Sequence, residues 1–125
     1  MASDLGRQFA LALAEKDADR LTRLLAPDVD FRGMTPEGFW KATGAAGVVD
    51  DVLFAHWFEQ HDVIRSLVSL TTDTLIDRER VGYRLLVDRR GQTYLVEHQA
   101  YYAEKDGRIS WMRLMCAGFR PLMRV

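Results

Sequence analysis

The nine residues YLVEHQAYY, at positions 94–102, carry the polar side chains best suited to chemistry. Apolar and aromatic residues at both ends favour a β-strand, whereas the middle holds Glu97, His98 and Gln99. A carboxyl group buried among apolar side chains has a raised pKa and can act as a general acid or base. An imidazole exchanges protons near neutral pH. The stretch therefore predicts proton-transfer chemistry, provided that the acid or the imidazole faces the interior.

Strand alternation divides this stretch into two sets of side chains that face opposite ways. A register shift of one residue exchanges the two faces. The second set is the more apolar, so composition alone predicts that it is buried. The sets are Leu95, Glu97, Gln99 and Tyr101 on one side, and Tyr94, Val96, His98, Ala100 and Tyr102 on the other.

Three candidate residues each have a second interpretation that needs no chemistry. Glu97 is either a general acid or base, or a surface carboxylate paired with Arg84 or Arg113. His56, in FAHWF, either faces a pocket from a helix or is a partly buried histidine with satisfied hydrogen bonds. Cys116 is a nucleophile only as a thiolate, and without a charged partner beside it in the chain a small buried residue is favoured.

Known cofactor and metal motifs do not occur in the chain. It has no GxGxxG, GxxxxGK[ST] or GxSxG string, and it has one cysteine and three histidines. His56 and His61 are five residues apart, which is not the spacing of a helical metal-binding pair. We therefore expect neither a cofactor nor a metal.

Composition indicates one globular domain over residues 1–125, with 48% hydrophobic and 28% charged residues and a net charge of −1. Acidic residues interleave with the clustered arginines, which predicts a mixed, solvated surface and no nucleic-acid partner. No apolar stretch approaches the ~20 residues that span a bilayer, so we expect no membrane segment. A single cysteine fits a cytoplasmic protein.

The order of elements indicates an α+β fold. Helical periodicity covers residues 4–16, and a second short helix begins near Ala18 and is ended by Pro27. A short strand around Val29 and Phe31, a turn at 33–38 and a third helix over 39–58 follow. Four consecutive antiparallel strands are then predicted at 63–76, 80–88, 92–103 and 108–119, with Asp106-Gly107 as a hairpin signal.

Two strings, LAEKDADRLTRLLAPDVDF at 13–31 and QAYYAEKDGRISWMRLMCAGFRP at 99–121, resemble the SnoaL-like, polyketide cyclase-like members of the nuclear transport factor 2-like superfamily. The resemblance implies a cone: a strongly bent antiparallel sheet wrapped around three N-terminal helices, with a pocket at its open end. It also implies a cofactor-independent isomerase, lyase or cyclase, or a non-catalytic ligand-binding or dimerisation module. Homodimers through the outer sheet face are common in that group.

Residue-by-residue alignment with the ketosteroid isomerases of this superfamily transfers little chemistry. Phe9 takes the place of a tyrosine, Gly33 that of the general-base aspartate, and Gln99 that of the oxyanion-hole acid. The alignment turns the set containing Glu97 toward the pocket, together with Met112, Leu114 and Cys116. It turns His98 outward, beside Trp111 and Arg113.

The resulting predictions are these. A hydrophobic or aromatic small molecule is the expected partner, and the catalytic candidates are Glu97, His98 and His56. The residues expected to line its pocket are Phe9, Phe31, Trp40, Trp57, Tyr83, Gln99, Tyr101, Met112, Leu114 and Cys116.

Overall fold

The computed structural model describes residues 3–122, in which helices come first and most of the sheet follows. None of the helices in this part of the chain is both long and apolar enough to cross a membrane. In chain order the elements are α1 Leu5–Ala14, α2 Ala18–Leu24, β1 Leu25–Thr35, β2 Gly38–Thr43, α3 Gly47–Trp57, β3 Val63–Leu75, β4 Arg78–Arg89, β5 Gln92–Lys105 and β6 Arg108–Pro121.

The first two helices form where helical periodicity predicts them. Phe9, Ala12 and Leu13 of α1 are fully buried, so its apolar stripe packs against the sheet. Asp17 caps α2, since its side chain accepts a hydrogen bond of 3.1 Å from the backbone N–H of Arg20. Both helices are confirmed.

The region between Phe39 and Ala46 differs from the prediction of a helix. Phe39 to Thr43 lie in β2, which forms an antiparallel hairpin with β1. Exposed and half-buried side chains alternate along β2, as expected for a strand at the edge of a sheet. Gly44 then turns the chain, with a φ of +94°. The third helix therefore begins only at Gly47, and it is a π-helix, a type rare in proteins and frequent at functional sites.

The sheet has the strand order β2-β1-β6-β5-β4-β3. The four strands predicted after residue 63 pair antiparallel as expected. β1, predicted as a short strand, extends over 11 residues and pairs parallel with β6. The sheet is therefore mixed rather than wholly antiparallel, and it wraps around the helices as an open α+β cone.

The two faces of the sheet have different environments, which we call the inner face, toward the helices, and the outer face. In β5 the side chains of Val96, His98, Ala100 and Tyr102 are buried on the inner face, with at most 1% exposed. The apolar composition of this set predicts its burial correctly. The alignment-based prediction that Glu97, Gln99 and Tyr101 face the helices, with His98 outward, is wrong.

Strand pairing supplies the physical reason for this correction. His98 pairs with Cys116, Ala100 with Leu114 and Tyr102 with Met112. Paired residues of antiparallel strands point to the same face. Because Met112, Leu114 and Cys116 do lie on the inner face, their partners on β5 must be the set that contains His98.

Candidate functional site

A cavity of about 310 Å³ lies at the open end of the cone. Its volume is at the lower end of the range for small-molecule pockets, about 300–1,000 Å³. The turn between β1 and β2, the last turn of α3 and the ends of β4 and β6 form its wall. The lining residues are Thr35, Pro36, Glu37, Trp40, His56, Trp57, Arg89, Cys116, Gly118, Phe119 and Arg120.

His56 and Trp40 form one side of the cavity. Their ring centroids are 4.7 Å apart with an interplanar angle of 32°. Trp40 is half-buried in β2, whereas His56, near the end of α3, is exposed. The imidazole is therefore held against an indole, and it is accessible both to a ligand in the cavity and to solvent.

Trp57 closes the cavity toward the interior. Its indole occupies the space beside Gly33, where an added Cβ atom would lie 2.6 Å from Trp57 Cζ2. The ring contacts Phe31, with centroids 6.4 Å apart, and His98, with centroids 5.5 Å apart at 77°. Gly33 is thus required for close packing, and its lack of a side chain leaves room for the indole.

His98 lies behind Trp57 and is completely buried. Its Nδ1 is 2.9 Å from the hydroxyl oxygen of Tyr83, which is itself buried, and its ring also contacts Phe58 with centroids 5.9 Å apart. Burial lowers the pKa of His98 to about 3, because the apolar surroundings disfavour the imidazolium. Burial also raises the pKa of Tyr83 well above its ordinary value. The pair is therefore neutral at pH 7.

Cys116 is also part of the wall of the cavity. It pairs with His98 across β5 and β6 and is 5% exposed. Burial raises the pKa of its thiol, and its sulfur accepts a hydrogen bond of 3.4 Å from the backbone N–H of Gly118. The side chain is a buried, protonated thiol, which agrees with a small buried residue rather than a nucleophile.

Arg89 lines the cavity and is held in place by several hydrogen bonds, a role that the sequence analysis did not predict. It forms hydrogen bonds of 2.9 and 2.7 Å to the carboxylate of buried Asp62 and donates to the carbonyl of Trp57 at 3.2 Å. Its guanidinium lies 3.9 Å from the ring centroid of Phe119. Burial disfavours the Asp62 carboxylate, yet the hydrogen bonds from Arg89 and from the Glu59 N–H hold its pKa below the ordinary value. The β3–β4 hairpin brings Asp62 and Arg89 together, because they flank its Val63–Asp88 pair.

The predicted site residues divide among three places. Trp40, His56, Trp57 and Cys116 line the cavity. A second group lies in the packed core: Phe9, Phe31, Tyr83, His98, Met112 and Leu114. The remaining residues, Glu97, Gln99 and Tyr101, lie on the outer face, where Gln99 and Tyr101 line a second, apolar depression of about 300 Å³.

Glu97 is a surface carboxylate paired with an arginine, the second of the two interpretations given for it above. Its carboxylate is 3.7 Å from the guanidinium of Arg84, and the two side chains are 37% and 52% exposed. Arg113, the other expected partner, pairs with Asp30 instead. To act within the cavity, Glu97 would have to lie on the inner face of the sheet, and it does not.

Two rows of paired residues cross the outer face. One row is apolar at one end and the other is charged. Phe39, Met34 and Met115 are exposed by 86%, 39% and 42%. The first row is Phe39, Met34, Met115, Gln99 and Gly82; the second is Lys41, Arg32, Arg113, Tyr101, Arg80 and Asp73.

The arginines from position 78 to 90 are each paired with a carboxylate. The partners of Arg78, Arg80, Arg84, Arg89 and Arg90 include aspartates and glutamates from neighbouring strands and from the loop before β3. This confirms the prediction of a mixed surface. Within residues 3–122, no three histidine, cysteine or acidic side chains are close enough together to hold a metal ion.

Comparison with solved structures identifies the fold. A Bacillus subtilis protein assigned as an isomerase superposes with a TM-score of 0.73 at 18% identity, over 90% of this chain and 84% of its own. A Pseudomonas putida KT2440 protein assigned as a polyketide cyclase gives 0.68 at 18% identity, over 94% and 92%. LinA gives 0.62 at 20% identity, over 98% and 87%. Neither a protein-family profile nor a curated protein sequence matches the chain.

The chain has the fold of these structures, the nuclear transport factor 2-like α+β cone. This confirms the fold that the sequence resemblance implies. Because the identities are 20% or less for these three structures, the likeness concerns the fold, and the reaction must be argued from the site.

Proposed function

We propose that the protein is a cofactor-independent enzyme of the isomerase, lyase or cyclase type that acts on a compact, hydrophobic or aromatic molecule. The observation that carries this proposal is the cavity at the open end of the cone, whose aromatic wall contains the accessible imidazole of His56. Aromatic rings form the apolar part of this wall, and Thr35, Glu37, Arg89 and Arg120 add polar groups to it. Convergent polar groups beside apolar surface are typical of small-molecule sites. The neighbours assigned as isomerases and cyclases support this class of activity.

His56 is the proton-transfer group in this proposal. It removes a proton from a carbon atom of the bound molecule and returns it at another position or to a leaving group, so no oxidant or reductant is required. Contact of its ring with that of Trp40 limits the movement of the imidazole. His98, buried behind Trp57, provides a polar group at the inner end, and Glu97 has no part.

Deuterium exchange tests this function without knowledge of the natural substrate. The probe is 1-indanone, a compact ketone with acidic C–H groups, incubated with the protein in D₂O and followed by ¹H NMR. We expect exchange above the buffer rate, reduced to that rate by His56→Gln with binding retained. His61→Gln, an exposed histidine outside the cavity, is the matched control and should exchange at the wild-type rate. Equal exchange by both variants would remove His56 from the mechanism.

The non-catalytic alternative is a ligand-binding or dimerisation module, and the exposed apolar row on the outer face favours it. An exposed Phe39 beside two half-exposed methionines is unusual on a monomer surface. Binding of 1-indanone in the cavity without any exchange would support this alternative over catalysis.

A homodimer through the outer face is part of both versions of the proposal. A two-fold axis through the middle of the sheet, between β5 and β6, places Lys41 of one copy against Asp73 of the other. It also places Arg113 against Tyr101, a favourable cation–π pair. The same axis also places Arg32 against Arg80, two like charges. The support for this interface is therefore the exposed apolar end of the first row rather than charge complementarity.

Light scattering after size exclusion tests the dimer. We expect twice the 14.3 kDa mass of the chain, and a monomer for Phe39→Glu because the charge cannot be buried in the apolar row. Ile76→Glu is the control, since Ile76 is 94% exposed at the β3–β4 turn, away from this row. A monomeric wild type would exclude the dimer.

The proposed cytoplasmic location is based on the single cysteine of the chain. Detection of a tagged form of the protein in separated cell fractions tests this location.

A further inference from the structure

Two buried nitrogen atoms next to the cavity have no hydrogen-bond partner within residues 3–122. They are Nε1 of Trp57 and Nε2 of His98. Buried polar atoms nearly always have a partner in folded proteins. Both belong to rings that contact each other, with centroids 5.5 Å apart, so one missing partner can account for both atoms.

The hydrogen bond to Tyr83 determines which nitrogen of His98 carries the proton. Within the described residues, the Tyr83 hydroxyl has the His98 Nδ1 as its hydrogen-bond partner, at 2.9 Å. The hydroxyl hydrogen can be satisfied only if it is donated to Nδ1, which must then be unprotonated. His98 therefore carries its proton on Nε2. The indole Nε1 of Trp57 is always a donor, so both orphan atoms are N–H donors.

A single acceptor between these rings satisfies both donors. One oxygen can accept from two N–H groups whose nitrogens are up to about 6 Å apart, since each bond spans about 2.9 Å. The 5.5 Å separation of the ring centroids is compatible with this arrangement. Trp57 lines the cavity and its ring contacts that of His98, so the two donors lie at the inner wall of the cavity.

We propose that Trp57 Nε1–H and His98 Nε2–H form a donor pair that binds one acceptor oxygen of the ligand. The cavity then takes compact apolar molecules that carry a carbonyl group or its enolate. This inference rests on the proposed function and names the substrate class of that site. It replaces the sequence-based role of His98 as an acid or base with that of a hydrogen-bond donor.

The chemistry of such a pair suits proton transfer at carbon. When the C–H bond beside the carbonyl breaks, the proton passes to His56 and the electron pair moves onto the carbonyl oxygen, where the two donors stabilise the charge. Burial lowers the pKa of His98 to about 3, so the imidazole is neutral and retains its Nε2 proton. A neutral histidine acts as the electrophile in this way in triosephosphate isomerase. Within residues 3–122, the shift in the pKa of His98 has burial as its sole cause, with no contribution from a neighbouring charge. Its ring is in contact with Tyr83, Trp57 and Phe58.

The tautomer of His98 is measured on the unmodified protein by long-range ¹H–¹⁵N NMR at pH 7. We expect a neutral ring protonated at Nε2, with His98→Gln identifying its signals. A ring protonated at Nδ1 would leave Nε2 as an acceptor and overturn the donor pair. This measurement requires no ligand, so it is independent of the proposed function.

A pair of matched probes tests the ligand class. 1-Indanone and indane have the same ring skeleton and differ in the carbonyl oxygen. We expect 1-indanone to bind at least about tenfold more tightly, which corresponds to two hydrogen bonds, and to move the indole N–H signal of Trp57 downfield. Trp57→Phe should reduce the preference severalfold, whereas Trp111→Phe, on the outer face between Arg78 and Arg113, should leave it unchanged.

The outcomes separate the two proposals. Equal binding of both probes overturns the donor pair and leaves a small-molecule site. No binding of either probe overturns the proposed function together with the ligand class. If 1-indanone binds more tightly than indane and His98 carries its proton on Nε2, both the small-molecule site and the donor pair are supported.

Discussion

The inner and outer faces of β5 place neighbouring residues in opposite environments. His98 is completely buried and hydrogen-bonded to Tyr83, whereas Glu97, the preceding residue, is paired with Arg84 at a surface that solvent reaches. Tyr102 is 1% exposed and Tyr101 is 38% exposed. Alternate side chains of a strand point to opposite faces. The chemistry available to a residue of β5 therefore depends on whether its position in the strand is odd or even.

The largest difference between the faces is expected for the two adjacent tyrosines. Tyr102→Ala should lower the free energy of unfolding by about 3–5 kcal/mol, because it opens a cavity in the core. It also removes the acceptor of the Gly6 N–H, which donates to the Tyr102 hydroxyl at 2.8 Å. Tyr101→Ala should change it by about 0.5 kcal/mol or less. Urea unfolding in a Phe39→Glu background, which excludes dimer effects, measures both, and similar losses would contradict the register.

A second comparison adds one methyl group to each face. Gly33→Ala should lower the free energy of unfolding by about 1–3 kcal/mol through overpacking, because its Cβ would lie 2.6 Å from the Trp57 ring. Gly82→Ala is the outer-face control, where the new Cβ meets flexible Arg80 and Thr71 at 3.3 Å. Its effect should be about 0.5 kcal/mol or less. A shift of Trp57 fluorescence in Gly33→Ala alone would sharpen the assignment.

The third prediction concerns pH. The pKa of His98 is lowered from 6.5 to about 3 in the folded state, so between these values the unfolded chain binds a proton that the folded chain does not. Stability must therefore fall as pH decreases below about 6.5, by about 2 kcal/mol between pH 7 and pH 5. Carboxylates such as Asp62, whose pKa is lowered, add their losses at lower pH.

Urea unfolding at pH 7 and pH 5 measures this dependence. His98→Gln should remove most of the decrease, while His61→Gln, with an exposed side chain, should retain it. A wild-type stability that is equal at the two pH values would show that His98 is accessible to protons in the folded state.

The smallest effect is expected for Glu97→Gln on the outer face. An exposed ion pair contributes about 0–1 kcal/mol, and the Glu97–Arg84 pair is 3.7 Å apart with both side chains more than a third exposed. Stability should change within that range and the exchange rate of 1-indanone should not change. Loss of exchange with the fold intact would return Glu97 to the mechanism.

The sequence by itself determined the fold class, the first two helices and the four strands after residue 63. Periodicity and turn residues such as Asp106-Gly107 encode these elements locally, and apolar composition also predicted the buried set of β5. The apparent helix over Phe39–Ala46 could not be distinguished in this way. Its first part, Phe39 to Thr43, became part of β2 because β1 offered a pairing edge, and tertiary pairing overrides local preference.

Only the tertiary structure decided the site. Alignment reversed the faces of β5, since a register error of one residue exchanges them, and the pairing of His98 with Cys116 corrects that. The contact of Gly33 with Trp57 joins residues 24 positions apart, and the contact of Trp57 with His98 joins residues 41 positions apart. Such contacts arise from the path of the chain through the cone, which no local pattern contains.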